Sequence, residues 1–232
     1  MNIDRFARWY RWVEYAAFGR ALERRRFVYL DRLANAGRVL IPGEGDGRTL
    51  ERLIVLAPQA QIDVLELSGE MIKLARRRDG NSARVHFRQE NALTAFWPDE
   101  YYDGLVTLFF LDCFSEDEAR GLIHRLVSAM TPGAVWLVGE FAIPERGWRR
   151  WHASVWIWTM YRFFGAIAGL RIRALPPIGR LLGEAGLRQL EWEEERWGLM
   201  RSEVWCKPDL DRIRNDKVLA LSDAMKIPTV RR

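Results

Sequence analysis

The hydrophobic and polar positions of the chain change their period along the sequence, and each change marks a predicted element. Between Asp4 and Leu33, apolar residues recur every three or four positions, which is the spacing of an amphipathic helix. Gly19 is expected to divide this segment into two helices, the second ending near Gly37. After Gly37 the pattern changes to short apolar runs that alternate with helical segments.

Seven of these runs have the length and composition of β-strands: residues 38–42, 62–66, 84–88, 102–111, 134–140, 187–193 and 199–206. Helical segments are predicted between them at residues 48–56, 69–78, 116–130 and 176–186. This alternation predicts an α/β protein whose seven-stranded, mostly parallel sheet carries helices on both faces. A sheet of this kind binds its ligand beyond the carboxyl ends of the strands.

At 232 residues the chain is long enough for one α/β domain. We expect that domain to have five parts: an N-terminal helical cap (1–37), a core of alternating strands and helices (38–142), an aromatic-rich insertion that forms a lid (143–186), two closing strands (187–206) and a charged tail (207–232).

A glycine-rich turn follows the first strand and leads into a helix. Gly43, Gly45 and Gly47 have the spacing G-x-G-x-G, and glycine allows both a tight turn and the close approach of a ligand to the backbone. Glu66 ends the second strand 19 residues after Gly47. A carboxylate at this point can accept hydrogen bonds from both ribose hydroxyls of an adenosine. Arg48 occupies the position of the third glycine in G-x-G-x-x-G, which disfavours a dinucleotide enzyme.

Further segments follow in a fixed order: residues 39–47, 64–68, 71, 74–76, 91–92, 102–104 and 131–133. Together they resemble the class I S-adenosylmethionine (SAM) dependent methyltransferases, which have a Rossmann-like fold. The resemblance extends from about Arg38 to Phe141. Within that superfamily the chain is more loosely similar to the ubiquinone and menaquinone C-methyltransferases and to some phospholipid N-methyltransferases.

The resemblance implies SAM as the cofactor and S-adenosyl-L-homocysteine as the product. It also implies a cofactor site with five parts, each taken from the matching position of the family. The backbone of Gly43, Glu44, Gly45, Asp46 and Gly47 would hold methionine and ribose; Glu66 would hold the ribose hydroxyls; Leu67 and Met71 would pack on adenine; Asn91 and Ala92 would bind the adenine edge; Leu108 and Phe109 would border methionine.

The glycine turn departs from the family pattern in its charges. The family often has an acid two residues before the first glycine, and here that residue is Ile41. Glu44, inside the turn, is expected to supply the missing negative charge to the methionine ammonium. Asp46 is expected either to do the same or to cap the following helix. Asn91 stands where the family usually has an aspartate.

Methyl transfer from a sulfonium is a direct displacement, so the protein chiefly aligns the reacting atoms and needs a base only for an acceptor that loses a proton. Asp112 and His152 are the candidate catalytic residues. Asp112 is expected on the floor of the cleft, because Ser115 and Glu118 already fit the capping box of the next helix. Candidate acceptor-binding residues lie in the cap and the insertion: Tyr10, Tyr15, Trp151 and Tyr161.

Composition narrows the acceptor. The chain has 11 tryptophans and a net charge of +5, and residues 1–38 and 146–180 are rich in both arginine and aromatic side chains. These features favour a small, apolar or aromatic acceptor, including a lipid-like one collected at the inner face of a membrane. An RNA or other nucleic-acid methyltransferase and a non-catalytic SAM-binding partner protein remain as alternatives.

With two cysteines, no metal-ligand spacing and no signal peptide or membrane span, we expect a cytoplasmic protein without a metal.

Overall fold

A computed structural model of the chain describes residues 21–142, 147, 151, 175–195 and 198–209. Seven strands form one sheet: β1 (Arg38–Pro42), β2 (Gln61–Glu66), β3 (Val85–Gln89), β4 (Tyr102–Leu108), β5 (Met130–Phe141), β6 (Arg188–Glu195) and β7 (Met200–Cys206). Their order across the sheet is β3-β2-β1-β4-β5-β7-β6. Strand β7 is antiparallel to both of its neighbours, and the pairs among β1 to β5 are parallel. The predicted seven-stranded, mostly parallel sheet is confirmed.

In the part of the chain that the structure describes, five helices accompany the sheet: α1 (Ala21–Phe27), α2 (Arg48–Leu56), α3 (Gly69–Arg76), α4 (Glu116–Ala129) and α5 (Ile178–Glu184). The same residues include two short 3₁₀ helices, Leu30–Leu33 and Leu111–Cys113. Within the described residues, the helical segment predicted up to Ala34 is therefore one helix of two turns followed by a separate 3₁₀ turn.

The core lies on both faces of the sheet, because successive residues of the central strands point in opposite directions. Leu40 packs in a cluster with Leu122 of α4, whereas its neighbours Val39 and Ile41 pack in a second cluster with Leu50 of α2. All five of these side chains are buried. The prediction of helices on both faces is thus confirmed.

Two predicted strands have a boundary that is wrong by three or more residues, and a local backbone irregularity accompanies each of them. The strand predicted at residues 102–111 ends at Leu108, because Phe109 adopts a left-handed φ of 57° and the chain then turns into a 3₁₀ helix. The strand predicted to start at residue 134 already starts at Met130, and the register between β4 and β5 shifts between Tyr102 and Gly104.

The parallel strands direct their carboxyl ends to one edge of the sheet. At that edge β1 leads into the glycine turn, β2 ends in Glu66, β4 ends in Leu108 and β5 ends beyond Glu140. Helix α1 lies against the antiparallel pair: Ser202 Oγ of β7 donates to the carbonyl of Arg25 (2.9 Å), and Arg25 pairs with Glu193 and Glu195 of β6 (3.0 Å each).

Candidate cofactor site and the adjoining cleft

The glycine turn has the left-handed backbone that its sequence predicts. Gly43, Gly45 and Gly47 have φ angles of 71°, 72° and 88°. A Cβ atom on Gly47 would lie 2.5 Å from Cα of Ala75, so this glycine permits the start of α2 to pack against α3. A Cβ atom on Gly43 would lie 2.1 Å from the ring of Phe110. Gly45 faces open space, since a Cβ atom there would have no other atom of the described residues within 4 Å.

Glu66 lies directly beside this turn. Its Oε2 atom accepts a hydrogen bond from the backbone N–H of Gly45 (3.1 Å), and its Oε1 atom accepts one from the N–H of Ser68 (3.0 Å). The glycine turn and the carboxylate, which are 21 residues apart in sequence, thus form one continuous polar surface. The open space at Gly45 adjoins that surface.

The two acids of the turn have different environments. Glu44 is buried, and its Oε1 atom accepts from the N–H groups of Thr49 (2.9 Å) and Leu50 (3.0 Å) in the first turn of α2. Burial raises the pKa of Glu44 to about 7, against the opposing effect of these hydrogen bonds. Asp46 instead accepts from Arg48 (2.8 Å) and lies 3.5 Å from a guanidinium nitrogen of Arg78. The helix-capping role is therefore filled by Glu44, and the role of either acid toward a ligand stays a prediction.

Arg26 of α1 is a buried residue of this region that sequence reasoning missed. It lies with Ile41, Gly43, Glu44 and others around a small cavity, and its positive charge lowers the pKa of Glu44 against the effect of burial. Residues 1–38 contain nine arginines, and nothing in the sequence distinguishes Arg26 from the other eight.

The predicted adenine-binding residues lie at the ends of two paired strands. Glu66 is in register with Gln89, so the segments that follow them, with Leu67 and Asn91, leave the sheet side by side. Leu67 is 46% exposed although it is apolar, whereas Met71 of α3 is buried. Asn91 is exposed, and its side-chain oxygen accepts from the N–H of Leu93 (2.9 Å). Ala92 is buried.

The end of β4 carries a strained backbone. Phe109 has a positive φ, which non-glycine residues adopt rarely and at a cost of about 1–3 kcal/mol. Its ring lies 5.0 Å from that of Phe141 at the end of β5, and Leu108 packs against Gly139. This turn directs the chain from β4 back over the first glycine, where Phe110 contacts Gly43.

Two buried carboxyl groups meet where β4 and β5 end. Asp112 and Glu140 are 4% and 6% exposed, and their carboxyl groups lie close enough for each to affect the ionisation of the other. Glu140 also accepts from the N–H groups of Leu111 (2.9 Å) and Asp112 (3.3 Å). Burial raises the pKa of both carboxyls, and the proximity of Asp112 raises that of Glu140 further.

Asp112 lies in the 3₁₀ helix that follows β4, and its predicted place on the floor of the cleft stays a prediction. The Ser115–Glu118 capping box is present. Sequence reasoning missed Glu140, because in the sequence it is marked only as the last residue of a predicted strand. Tyr10, Tyr15, His152 and Tyr161 lie outside the described residues. Trp151 is described and is 73% exposed.

The strand order, the glycine turn and the adjoining carboxylate are those of a class I methyltransferase fold. Residues 39–133 match the family model described as a methyltransferase domain. Residues 39–133 are therefore similar to a methyltransferase domain and lie in a class I methyltransferase fold, as the sequence motifs predicted.

Individual relatives are distant. Malonyl-[acyl-carrier protein] O-methyltransferase 2 of Ilyobacter polytropus is 25% identical over 130 residues, which are 55% of this chain and 48% of that protein. The chain thus spans about half the length of this curated relative.

Solved structures share the fold. N-methyltransferase NodS from Bradyrhizobium japonicum WM9, in complex with S-adenosyl-L-homocysteine, has a TM-score of 0.61 at 18% identity, covering 81% of this chain and 88% of its own. The 1,6-didemethyltoxoflavin-N1-methyltransferase of Burkholderia thailandensis, with 1,6-didemethyltoxoflavin and S-adenosylhomocysteine bound, has a TM-score of 0.60 at 16% identity, covering 85% and 81%.

The residues of this chain fit the cofactor that the family uses. SAM needs a backbone surface without side chains for its methionine and ribose, and a carboxylate for its ribose hydroxyls. The open space at Gly45 and the Glu66 carboxylate beside it provide both.

Proposed function

We propose that the protein transfers a methyl group from SAM to a small, apolar or aromatic acceptor by direct displacement. The observation that carries this proposal is the contact between the Gly45 N–H and the Glu66 carboxylate, 3.1 Å apart, beside open space. The contact brings together the two groups that a sulfonium nucleoside requires.

The residues that would hold SAM are the glycine turn for methionine and ribose, Glu66 for the ribose hydroxyls, and Leu67 and Met71 for adenine. When bound, SAM supplies a methyl group on a positively charged sulfur. The contribution of the chain is alignment, because an in-line displacement needs its reacting atoms about 3–3.5 Å apart. Leu108 and the strained Phe109 turn form the wall against which the methionine end would be held.

A small acceptor is supported by the relatives. The name of the toxoflavin enzyme gives a heterocyclic acceptor, and that of NodS gives methylation on nitrogen. A lipid-like acceptor collected at a membrane is a narrower form of the proposal, supported by the tryptophan- and arginine-rich segment 146–180. Among the described residues, no helix is long and apolar enough to cross a membrane.

The first test is cofactor binding. Replacing Glu66 with alanine should raise the dissociation constant for SAM and for S-adenosylhomocysteine by about 10- to 100-fold, since hydrogen bonds to a charged group each contribute about 1.5–3 kcal/mol. Isothermal titration calorimetry measures this change. Glu70→Ala is the matched control, because Glu70 is an α3 residue that pairs only with Lys73 among the described contacts. Equal affinities for wild type and Glu66→Ala would contradict the proposed cofactor site.

The second test identifies the acceptor. Methyl-labelled SAM is incubated with the protein and with cell extract divided into lipid, water-soluble small-molecule and RNA fractions. Label in the small-molecule or lipid fraction supports the proposal, and the lipid fraction alone would support its narrower form. Label in RNA alone, or in no fraction despite SAM binding, would overturn it.

A further inference from the structure

A second cavity is lined by Glu140 and by the segments around it. It has a volume of about 320 Å³, at the lower end of the range of small-molecule pockets. Its walls are the end of β5, the segment that leads into α5, the first turn of α5, and β7. Apolar residues form one part of the lining: Phe141, Leu175, Pro176, Pro177 and Ile178. The size and the apolar walls suit a small, flat molecule.

The charged groups at this cavity are few and come from three elements: Glu140 from β5, Arg180 from α5, and Arg201 and Glu203 from β7. Arg201 and Glu203 form an ion pair of 2.7 Å, and Glu203 also accepts from Trp205 Nε1 (2.6 Å). Arg180 pairs with Glu116 (2.6 Å) at the solvent side. Three of the four charges are thus paired with opposite charges.

Glu140 differs from the others because its side-chain partner is another acid. The backbone N–H of Asp112 contacts Glu140 Oε2 (3.3 Å), and Cys113 Sγ lies 3.7 Å from Asp112 Oδ1. Ionised carboxylates that lie close together in a buried site repel each other, so the ionisation of Asp112 raises the pKa of Glu140. Burying a carboxyl group costs free energy. A purely structural role at the end of β5 would require the Glu140 carboxyl alone and would not account for the second one at Asp112.

Building on the methyl transfer proposed above, we propose that this cavity receives the methyl acceptor and that the Asp112–Glu140 pair, which holds one proton between two carboxyls, takes up the proton that the acceptor loses. The acceptor class that follows is a neutral molecule with an ionisable N–H or O–H group, such as a phenol, an enol or a heterocyclic N–H. Glu140 is the catalytic residue, since it lines the cavity, and Asp112 is a positioning residue that acts through it.

The reaction balances with this assignment. The X–H bond of the acceptor breaks and its proton joins the singly protonated pair, which becomes neutral. The bond between sulfur and the methyl carbon breaks, the electron pair of X forms the new bond to that carbon, and the sulfur keeps its bonding pair as a neutral thioether. The pair later returns its proton to water and regains its single negative charge.

The protonation of the pair can be measured without an acceptor. Infrared difference spectra at pH 7, with wild type compared with Glu140→Gln and Asp112→Asn, should show one protonated carboxyl in the wild type that either variant loses. Absence of a protonated carboxyl in the wild type would overturn the shared proton.

A variant whose side chain fills the cavity tests whether the acceptor binds there. A Cβ atom on Gly179 would point at Glu203 (3.8 Å) and Trp205 (3.9 Å), so Gly179→Leu should fill the space. Gly183 lies one turn further along α5, and a Cβ atom there would have none of the described residues within 4 Å, which makes Gly183→Leu the matched control. Gly179→Leu should abolish label transfer from SAM to the extract fraction that the wild type labels, with SAM affinity unchanged within about threefold. Transfer by Gly179→Leu at the rate of Gly183→Leu would overturn the cavity assignment.

The catalytic role is tested with the same label and fraction. Glu140→Gln should lower the rate constant of transfer at least about 100-fold with unchanged SAM affinity, within the roughly 10²–10⁴-fold range of general-base catalysis. Asp112→Asn should lower it less and shift the pH profile. Wild-type rates in both variants, or a quaternary ammonium product, would overturn the role. A wild type that fails to bind SAM would instead refute the proposed function, which keeps the two failures distinct.

Discussion

The three glycines of the first turn have the same spacing in sequence but different surroundings. Gly43 leaves room for the Phe110 ring, and Gly47 leaves room for the backbone of α3. Gly45 has none of the described residues within 4 Å of where its Cβ atom would lie. A repeated residue type therefore serves two packing contacts and one open surface. The difference predicts that alanine will have different effects at these positions.

Gly47→Ala should lower the free energy of unfolding by about 3 kcal/mol, because a backbone atom at 2.5 Å must move and the φ of 88° strains an alanine. Gly45→Ala should cost only about 1 kcal/mol, since its strain is not accompanied by a clash. Urea denaturation measures both. Equal losses in the two variants would show that packing against α3 does not distinguish them.

At the same scale, the sequence predicts Glu66 but not Glu140. Glu66 was predictable because its distance from the glycine turn is set by one strand-helix-strand unit. Glu140 has no such spacing relation to Asp112, 28 residues earlier. The two carboxyls meet only because β4 and β5 are adjacent and the chain turns at Phe109, which are properties of the fold.

Elements were predicted best where a local signal marks their ends. Helix α4 begins after Ser115, as its capping box predicts, and β1 has the predicted bounds. The end of β4 was predicted three residues too late because residues 109–111 are as apolar as the strand before them. These residues are apolar because they lie against the site and the core below it. A pattern of apolar residues alone does not distinguish such a turn from the continuation of a strand.

The capping box provides a prediction for α4. Ser115→Ala removes the side-chain acceptor for the N–H of Glu118 and should lower the free energy of unfolding by about 1 kcal/mol. Chemical denaturation measures the loss. Ser128→Ala is a suitable control, because Ser128 lies in the last turn of the same helix. A larger loss for Ser128→Ala than for Ser115→Ala would contradict the assignment of the helix start.

For the whole molecule, the buried acids make stability depend on pH. Burial raises the pKa of Glu44 to about 7 from an ordinary value of 4.5, and it also raises the pKa of Asp112 and Glu140. Below pH 4.5 Glu44 is protonated in both the folded and the unfolded chain. Between pH 4.5 and 7 the unfolded chain loses this proton while the folded chain keeps it, so rising pH favours unfolding across that window.

Glu44→Gln should remove this part of the pH dependence. We expect the stability difference between wild type and variant to change by on the order of 2–3 kcal/mol between about pH 4.5 and about pH 8, with wild type favoured at the acidic end. Urea denaturation at several pH values measures the difference. A difference that stays constant with pH would show that Glu44 ionises in the folded protein as easily as in the unfolded one.

The position of β7 has a consequence for folding while the chain is being synthesised. Strand β5 pairs with β7 at Gly139 and Ser202, so the ribosome must add about sixty residues before the outer side of β5 finds its partner. Until then the nascent sheet of β1 to β5 ends in a long strand whose N–H and C=O groups are unpaired. A second nascent chain on the same polysome has the same unpaired edge, and the two edges can pair with each other. We therefore expect the risk of aggregation to be highest during synthesis.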